Sequence, residues 1–156
     1  AKHARIDLTI ACAGDTRVDD HHTVEDVGIA LGQALKDALA DLRGVTRFGD
    51  CALPMDEALV LAAVDLSGRG TLGFAADLLS QKVGTFDTEL VKEFFLALTR
   101  EARMTLHLRQ LAGENTHHIL EAMFKGAGRA LRQAAAIDPA FARDIPSTKG
   151  TLGGKA

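Results

Sequence analysis

The sequence predicts an α+β fold built from a repeated strand and helix unit. The clearest sign of the repeat is a His-His-x-x-Glu motif that occurs twice, 96 residues apart, as His21-His22-Thr23-Val24-Glu25 and as His117-His118-Ile119-Leu120-Glu121. Each copy opens an amphipathic helix and follows a strand pattern and a loop with glycine and acidic residues. The chain has 156 residues, 47% of them hydrophobic, which suits one domain or two half-size repeats that share a core.

The elements of the first repeat follow one another closely. Apolar residues alternate with Asp7 and Thr9 between Ile6 and Cys12, which is the pattern of a strand with one buried face. Gly14 ends this strand, and the polar residues 15–20 form an acidic loop that could cap the next element. Residues 21–42 carry apolar side chains at helical spacing, so the first motif opens an amphipathic helix.

The middle of the chain predicts loops and strands. Residues 44–49 form a loop bounded by glycines that presents Arg47, and residues 55–66 hold an apolar run of strand length, although its alanines leave a helix open. Residues 67–70 resemble a hairpin turn into a strand at 71–76 and present Arg69. From spacing alone, both arginines are typical of ordinary solvated loop charges.

The second repeat begins with a helix. Asp87 and Thr88 could cap it, and its apolar residues between Leu90 and Leu98 fall on one stripe. Residues 104–111 resume strand alternation, with His107 and Arg109 on the opposite face. A turn at 113–115 leads into the second motif helix, whose apolar face extends to residue 134. The tail at 145–150 is interpreted as a small anion-binding loop or as a frayed terminus.

Composition excludes several function classes. The formal charge is −3 and the chain has no Trp or Tyr to stack on bases, so we expect no nucleic-acid partner. No apolar run approaches the roughly 20 residues that span a bilayer, and the basic start lacks an apolar segment of signal-peptide length, so we expect a cytoplasmic protein without a membrane partner. Cys12 and Cys51 are too few and too far apart for a disulfide framework or a zinc knuckle.

The duplicated motif predicts metal binding. In each copy the histidines lie four and three residues before the glutamate, so on a helix both imidazoles neighbour one carboxylate, a spacing typical of metal ligands. Adjacent histidines point about 100° apart around a helix, which makes it awkward for both to bind one ion. Two ions, or two chains that share ions, fit better. The alternative is that both motifs are solvated helix starts, but the duplication favours metal.

Six stretches of the sequence resemble one family, imidazoleglycerol-phosphate dehydratase, the lyase of histidine biosynthesis. They occur in order over nearly the whole chain, so coincidence does not explain them. The stretches are Asp19-Asp20-His21-His22-Thr23-Val24-Glu25-Asp26, Pro54-Met55-Asp56-Glu57-Ala58, Asp65-Leu66-Ser67-Gly68-Arg69, Phe86-Asp87-Thr88-Glu89-Leu90, Glu114-Asn115-Thr116-His117-His118 and Ile145-Pro146-Ser147-Thr148-Lys149-Gly150.

The resemblance implies a single domain over residues 1–156, made of two repeats. Each repeat would be a four-stranded sheet backed by helices, in a ribosomal protein S5 domain 2-like fold. Residues 51–156 then form the second repeat and residues 1–50 an incomplete first one. The family has a further half-unit upstream, which contributes another metal-binding histidine and a glutamate near the substrate. We therefore expect strands and one metal ligand of the first repeat to be missing from this sequence.

The resemblance also implies an activity, a cofactor and an assembly. The reaction is dehydration of D-erythro-imidazole glycerol phosphate to imidazole acetol phosphate, with two Mn²⁺ ions per active site, in a homo-oligomeric cage of two dozen subunits. The implied metal ligands, drawn from neighbouring subunits, are His21, His22, Glu25, His107, His117, His118 and Glu121. Of these, His22, Glu25, His118 and Glu121 are also the catalytic candidates, with the group that moves protons left open. The implied substrate-binding residues are Arg47, Arg69, Lys125, Ser147 and Lys149.

Two other functions compete with this interpretation. In a metal-dependent assembly or metal-storage protein, the motifs would hold subunits together without catalysis. In a metallohydrolase, a metal-activated water would attack an ester or amide. The basic residues discriminate the first alternative, because a storage protein has no reason to bring them together.

Overall fold

A computed structural model describes residues 1–152 and contains one four-stranded sheet covered on one face by helices. Residues 48–112 supply every strand of this sheet, so among the described residues the first repeat contributes a helix. None of the helices in the described part is long and apolar enough to cross a membrane. In chain order the elements are α1 (His21–Leu39), β1 (Phe48–Met55), β2 (Ala58–Asp65), β3 (Thr71–Ala75), β4 (Lys82–Val83), β5 (Phe86–Asp87), α2 (Leu90–Ala102), β6 (Thr105–Ala112), α3 (Thr116–Ala134) and a 3₁₀ turn (Pro139–Phe141).

The sheet has the strand order β1-β2-β6-β3. β1 and β2 form an antiparallel hairpin that turns at Asp56 and Glu57, and β6 pairs antiparallel with β2. β3 lies on the far side of β6 and runs parallel to it. The α+β class and the four-stranded sheet are confirmed, while the hairpin predicted at residues 67–70 is wrong, because β6 inserts between β2 and β3.

The core lies between this sheet and the helices α2 and α3. Alternate residues of β2 from Ala58 to Val64 are buried, as the period-2 pattern requires. The side chains of Phe95, Leu106 and Met123 are fully buried in the same cluster. Burying each of them contributes roughly 1.5–3 kcal/mol. The opposite face of the sheet carries His107 and Arg109, as the alternation of β6 predicts.

Two glycines allow α1 to lie directly against α2. A Cβ at Gly28 would lie 2.8 Å from the Phe94 carbonyl oxygen, and one at Gly32 would lie 2.7 Å from the Leu98 carbonyl oxygen, so larger residues would force the helices apart. The pairing of these positions also shows that α1 and α2 run in the same direction.

The helices α1, α2 and α3 all begin at one end of the molecule. The starts of α2 and α3 are joined through Ser80, whose backbone N donates to the Thr116 hydroxyl (3.1 Å) and whose carbonyl accepts from the Thr88 hydroxyl (2.9 Å). The hairpin turn at Glu57 lies at the same end, beside Asn115. We call it the motif end, because both His-His-x-x-Glu motifs start there.

The strand predicted between Ile6 and Cys12 is wrong. These residues form no regular secondary structure and no described strand pairs with them, whereas a strand needs a neighbour to satisfy its backbone groups. Leu8 and Ile10 are 40% and 56% exposed, whereas Ile6 packs against the core.

Several predicted boundaries also change. The first motif helix begins at His21 as predicted but ends at Leu39, because Ala40 and Leu42 adopt left-handed backbone conformations. Residues 48 and 49 belong to a strand, β1, which was missed among the glycine, cysteine and proline of its sequence. Thr88 does not cap α2, since its hydroxyl is used by Ser80 and Gln81. The strand at 104–111 and the second motif helix are confirmed as β6 and α3.

Candidate active site

The second motif occupies the first turns of α3. Asn115 caps the helix by accepting a hydrogen bond from the backbone N of His118 (3.2 Å), which fixes where the helix begins. Nε2 of His117 lies 3.4 Å from the Glu121 carboxylate, and Nζ of Lys125 lies 2.7 Å from it, both one turn apart. The hydrogen bond from Lys125 lowers the pKa of Glu121, so this carboxylate is anionic at neutral pH.

His118 is held by the hairpin turn between β1 and β2. Its Nδ1 lies 2.7 Å from Oε2 of Glu57, and its Nε2 lies 3.5 Å from Oδ2 of Asp56. The other Glu57 oxygen accepts from the backbone N of Asn115 (2.9 Å) and of Glu114 (3.4 Å). The bond from His118 and then that from Asn115 lower the pKa of Glu57 to about 2, and the same pairing raises the pKa of His118.

The first motif has a similar partner but weaker support. Nδ1 of His22 lies 3.0 Å from Oδ2 of Asp15, a residue of the preceding acidic loop. The hydrogen bond raises the pKa of His22 and lowers that of Asp15. Oδ1 of Asp19 accepts from the backbone N of His21 (2.9 Å), and Glu25 lies 3.8 Å from the Arg100 guanidinium.

The adjacent histidines in each copy diverge. Their ring centroids are 6.4 Å apart in the first motif and 6.1 Å in the second, with ring planes inclined at 87° and 61°. Within residues 1–152, no three histidine, cysteine, aspartate or glutamate side chains converge as a metal site would require. His107, in the open face of the sheet with its ring over Gly73, joins neither motif. The described residues of one chain therefore do not form a complete metal site at either motif.

Most of the predicted phosphate-binding residues meet in one cavity of about 530 Å³. The loop before β1 supplies Arg47, the turn after β2 supplies Arg69, and the tail supplies Ser147 and Lys149. Three segments far apart in the sequence thus bring two guanidinium groups, an ammonium group and a hydroxyl to one place. Such a set of donors suits a phosphate dianion.

Arg47 is held in this cavity by two protein partners and one aromatic ring. Its Nε and Nη2 donate to the two oxygens of Asp65 (2.8 and 3.3 Å), and its Nη1 donates to the Pro146 carbonyl (2.9 Å). The guanidinium lies 4.7 Å from the ring centroid of Phe48. Its backbone has φ +74°, a left-handed conformation that is costly outside glycine, and it is held by a bond from its N to the Ala134 carbonyl. The arginine is thereby preorganised, and it also anchors the tail.

The cavity and the motifs lie at opposite ends of the β1–β2 hairpin. Arg47 precedes β1, whereas Met55 ends it, and eight strand residues span about 25 Å. Lys125 belongs to the motif end, where its Nζ lies 3.5 Å from Met55 Sδ. The structure therefore brings four of the five predicted substrate-binding residues together and separates Lys125 from them.

Two carboxylates that hold predicted site residues, Glu57 and Asp65, were not predicted from the sequence. Both fall inside stretches that carried the family resemblance. Their roles become visible only once β1 and β2 are paired, because the hairpin brings Glu57 to α3 and Asp65 to Arg47.

Comparison with known proteins identifies similar sequences and folds. The family described as imidazoleglycerol-phosphate dehydratase matches residues 1–131. Proteins named imidazoleglycerol-phosphate dehydratase from Dinoroseobacter shibae and Desulforamulus reducens are each 59% identical over 152 residues, which is 97% of this chain and 78% and 77% of theirs. The crystal structure of the Staphylococcus aureus enzyme of that name superposes with a TM-score of 0.77 at 47% identity, over 82% of this chain and 72% of the other. The structure from Pyrococcus furiosus gives a TM-score of 0.75 at 45% identity, over 85% and 71%.

Proposed function

The chain belongs to the imidazoleglycerol-phosphate dehydratase family, carbon–oxygen lyases of histidine biosynthesis, and from that premise we propose how it works. It dehydrates imidazole glycerol phosphate to imidazole acetol phosphate, depends on Mn²⁺, and completes its active site between subunits. The observation that carries the proposal is the meeting of Arg47, Arg69, Ser147 and Lys149 in one cavity. A metal-storage protein gains nothing from such a cavity, whereas an enzyme for a phosphorylated substrate needs one.

The cavity binds the substrate phosphate. Arg47 uses three of its five N–H groups on Asp65 and Pro146, which leaves two for an anion. Arg69 and Lys149 contribute further positive charge. The backbone N of Arg69 donates to the Ser67 hydroxyl and that of Lys149 to the Ser147 hydroxyl, so both turns are held in the cavity wall. Holding the phosphate at several points fixes the orientation of the rest of the substrate.

The motif residues suit Mn²⁺ by their chemistry. Imidazole nitrogens and carboxylate oxygens are donors that Mn²⁺ accepts, and they are offered by His21, His22 and Glu25 in one copy and by His117, His118 and Glu121 in the other. The carboxylate partners of His22 and His118 hydrogen-bond to Nδ1, and the only contact of Nε2 of His118 among the described residues is the longer one to Asp56, at 3.5 Å. When bound, the ions would supply Lewis acidity that stabilises charge developing as the hydroxyl leaves and the carbon-bound proton is lost.

The chain's own residues then have distinct tasks. Glu121, kept anionic by Lys125, supplies a carboxylate to the cation site and balances its charge. The cavity residues orient the substrate by its phosphate. The imidazole of the substrate would reach the motif residues, and the glycerol carbons would lie between the two groups.

One chain cannot bring these tasks together on a small substrate. The cavity and the motif end are about 25 Å apart along β1, which exceeds the length of imidazole glycerol phosphate. A neighbouring subunit that offers its motif end to this cavity would resolve the separation. This supports self-association into a cage held partly by shared ions, which the divergence of adjacent histidines also favours.

The test is an assay of the complete protein with Mn²⁺ and imidazole glycerol phosphate. We expect imidazole acetol phosphate to form, and to stop forming when the metal is chelated. Bound Mn²⁺ without turnover would favour the storage protein, and release of inorganic phosphate would favour a metallohydrolase. Either result would overturn the dehydratase proposal.

Arg47→Ala provides the matched variant. Losing a charge-assisted donor should weaken substrate binding by about 10- to 100-fold, equivalent to roughly 1.5–3 kcal/mol. Metal content should be unchanged, because Arg47 belongs to neither motif and its guanidinium cannot bind a cation. Arg109→Ala, on the open face of β6 and outside the cavity, is the control. Loss of metal with unchanged substrate affinity would contradict the assignment.

A further inference from the structure

The second histidine of each motif is held at the same ring nitrogen by a carboxylate from outside the motif. Nδ1 of His118 meets Glu57 at 2.7 Å, and Nδ1 of His22 meets Asp15 at 3.0 Å. The two partners come from unrelated places, a strand turn and a loop. The same contact has thus been built twice by different elements, which indicates that it serves the histidine.

Glu57 is itself fixed before it reaches the ring. One carboxylate oxygen accepts the backbone N–H groups of Asn115 and Glu114, which lead into α3. The other oxygen is thereby aimed at His118. Asp56 precedes Glu57 in the turn and has φ +50°, a backbone conformation that few residues other than glycine favour. This turn places the Glu57 carboxylate beside His118.

The contact determines which nitrogen can bind a cation. A neutral imidazole carries one N–H and one lone pair, and an ionised carboxylate can only accept. Glu57 lies 2.7 Å from Nδ1, whereas Asp56 lies 3.5 Å from Nε2, so the shorter contact places the hydrogen on Nδ1 and the lone pair on Nε2. A histidine ligand needs its free nitrogen aimed at the ion, and its other nitrogen commonly donates to a carboxylate.

We propose that Glu57 is a positioning residue, which fixes the tautomer and rotation of His118 so that Nε2 is presented as a metal ligand. The second part of this inference rests on the proposed function, because it assumes that the motif binds Mn²⁺. The tautomer itself does not depend on any metal. Asp15 does the same for His22 in the first repeat.

Glu57→Gln is the informative variant. A glutamine has one acceptor oxygen in place of two, so it cannot accept from both the amides of α3 and Nδ1 of His118. If its oxygen stays with the amides, its NH₂ group faces Nδ1 and moves the hydrogen to Nε2. Glu114→Gln is the matched control, since it removes one negative charge from the same loop and keeps the backbone amide that Glu57 binds.

The first measurement uses the metal-free protein. Solid-state ¹⁵N NMR of histidine-labelled chain, at a pH where the rings are neutral, reports which nitrogen carries the hydrogen, and His118→Asn assigns the signal. We expect the Nδ1–H form in the wild type and in E114Q, with a shift to Nε2–H in E57Q. An Nε2–H form in the wild type would overturn the proposal without any variant having to fold.

The second measurement is calorimetric titration of the full chain with Mn²⁺. We expect E57Q to bind about 10- to 100-fold more weakly than the wild type, and E114Q to bind unchanged. Glu57→Asp, which keeps both acceptor oxygens, should recover part of the loss. Equal weakening in E57Q and E114Q would reduce the effect to charge and overturn the positioning role.

The two proposals can fail separately. If the wild type keeps the Nδ1–H form but binds no Mn²⁺, the tautomer assignment survives and the metal part of the proposed function falls. If Mn²⁺ binds and turnover proceeds while E57Q changes neither tautomer nor affinity, the proposed function survives and Glu57 has no positioning role.

Discussion

The two copies of the motif share a sequence but differ in what holds them. α3 packs on the sheet and buries nine residues, whereas α1 packs on α2 and buries only Gly28 and Gly32. Asn115 caps α3 with its side chain, and Asp20 makes no such bond at the start of α1. The second copy is thus positioned by the core of this chain, while the first depends on a helix contact and a loop. The difference shows that the same short motif can be positioned by the core in one repeat and by fewer, more exposed contacts in the other.

The largest expected effect concerns assembly and asks whether both copies are needed. His22→Ala and His118→Ala each remove a ligand from the proposed shared metal site, so metal should no longer join subunits, since it would stabilise only the assembled state. We expect either variant, or chelation of the wild type, to convert the proposed cage into smaller oligomers, as measured by light scattering. His3→Ala, outside both motifs, is the control.

Acidification should have the same effect, because a protonated imidazole cannot bind metal. The carboxylate partners raise the pKa of His22 and His118, so protons compete with metal at a less acidic pH than for an ordinary histidine. Metal should therefore be retained above these raised pKa values and lost as the pH falls through them. A large particle that persists after verified metal removal would show that apolar contacts alone hold the subunits together.

The next largest effect sharpens the contrast in packing. Ile119 is fully buried on α3, so Ile119→Ala should lower the free energy of unfolding by about 2–5 kcal/mol, because it leaves a cavity in the core. Leu31 on α1 is only partly buried, and Leu31→Ala should cost less. Denaturant unfolding of both variants in metal-free buffer measures the difference. Equal losses would mean that α1 is as firmly positioned as α3.

The contrast between local packing patterns and long-range contacts also explains which elements could be predicted from the sequence. Periodicity located α3 and β6 because their burial comes from local amphipathic patterns, which is what such patterns encode. It located the start of α1 as well, but the alternation at Ile6–Cys12 predicted a strand, and strand formation depends on a neighbour that the residues themselves do not specify. β1 was missed because its glycine, cysteine and proline give no period, and its pairing with β2 supplies the order.

In the candidate site, too, residue types could be predicted from the sequence but contacts between distant residues could not. The motif residues and the basic residues were found from sequence by spacing and by resemblance. That Arg47, Arg69, Ser147 and Lys149 share a cavity and Lys125 does not could not be predicted, since it follows from the separation of the two ends of a hairpin. The supporting roles of Glu57 and Asp65 depend on contacts between residues far apart in sequence, 61 residues for Glu57 with His118 and 18 for Asp65 with Arg47.

The smallest expected effect tests the helix starts directly. The Asn115 side chain satisfies a backbone N–H at the start of α3, so Asn115→Ala should cost about 0.5–2 kcal/mol of unfolding free energy. Asp20 has the same position before α1 without that bond, so Asp20→Ala should change the free energy by much less. Asn115 accepts from the backbone N of His118, so N115A should also weaken the contact of the His118 ring with Glu57 and slightly weaken Mn²⁺ binding. D20A removes no cap bond and should not have this effect. Thermal unfolding of the two variants, measured without metal, reports the effect of the cap on stability without any contribution from metal binding. A larger loss for D20A than for N115A would show that the first copy is the better supported of the two and reverse the comparison.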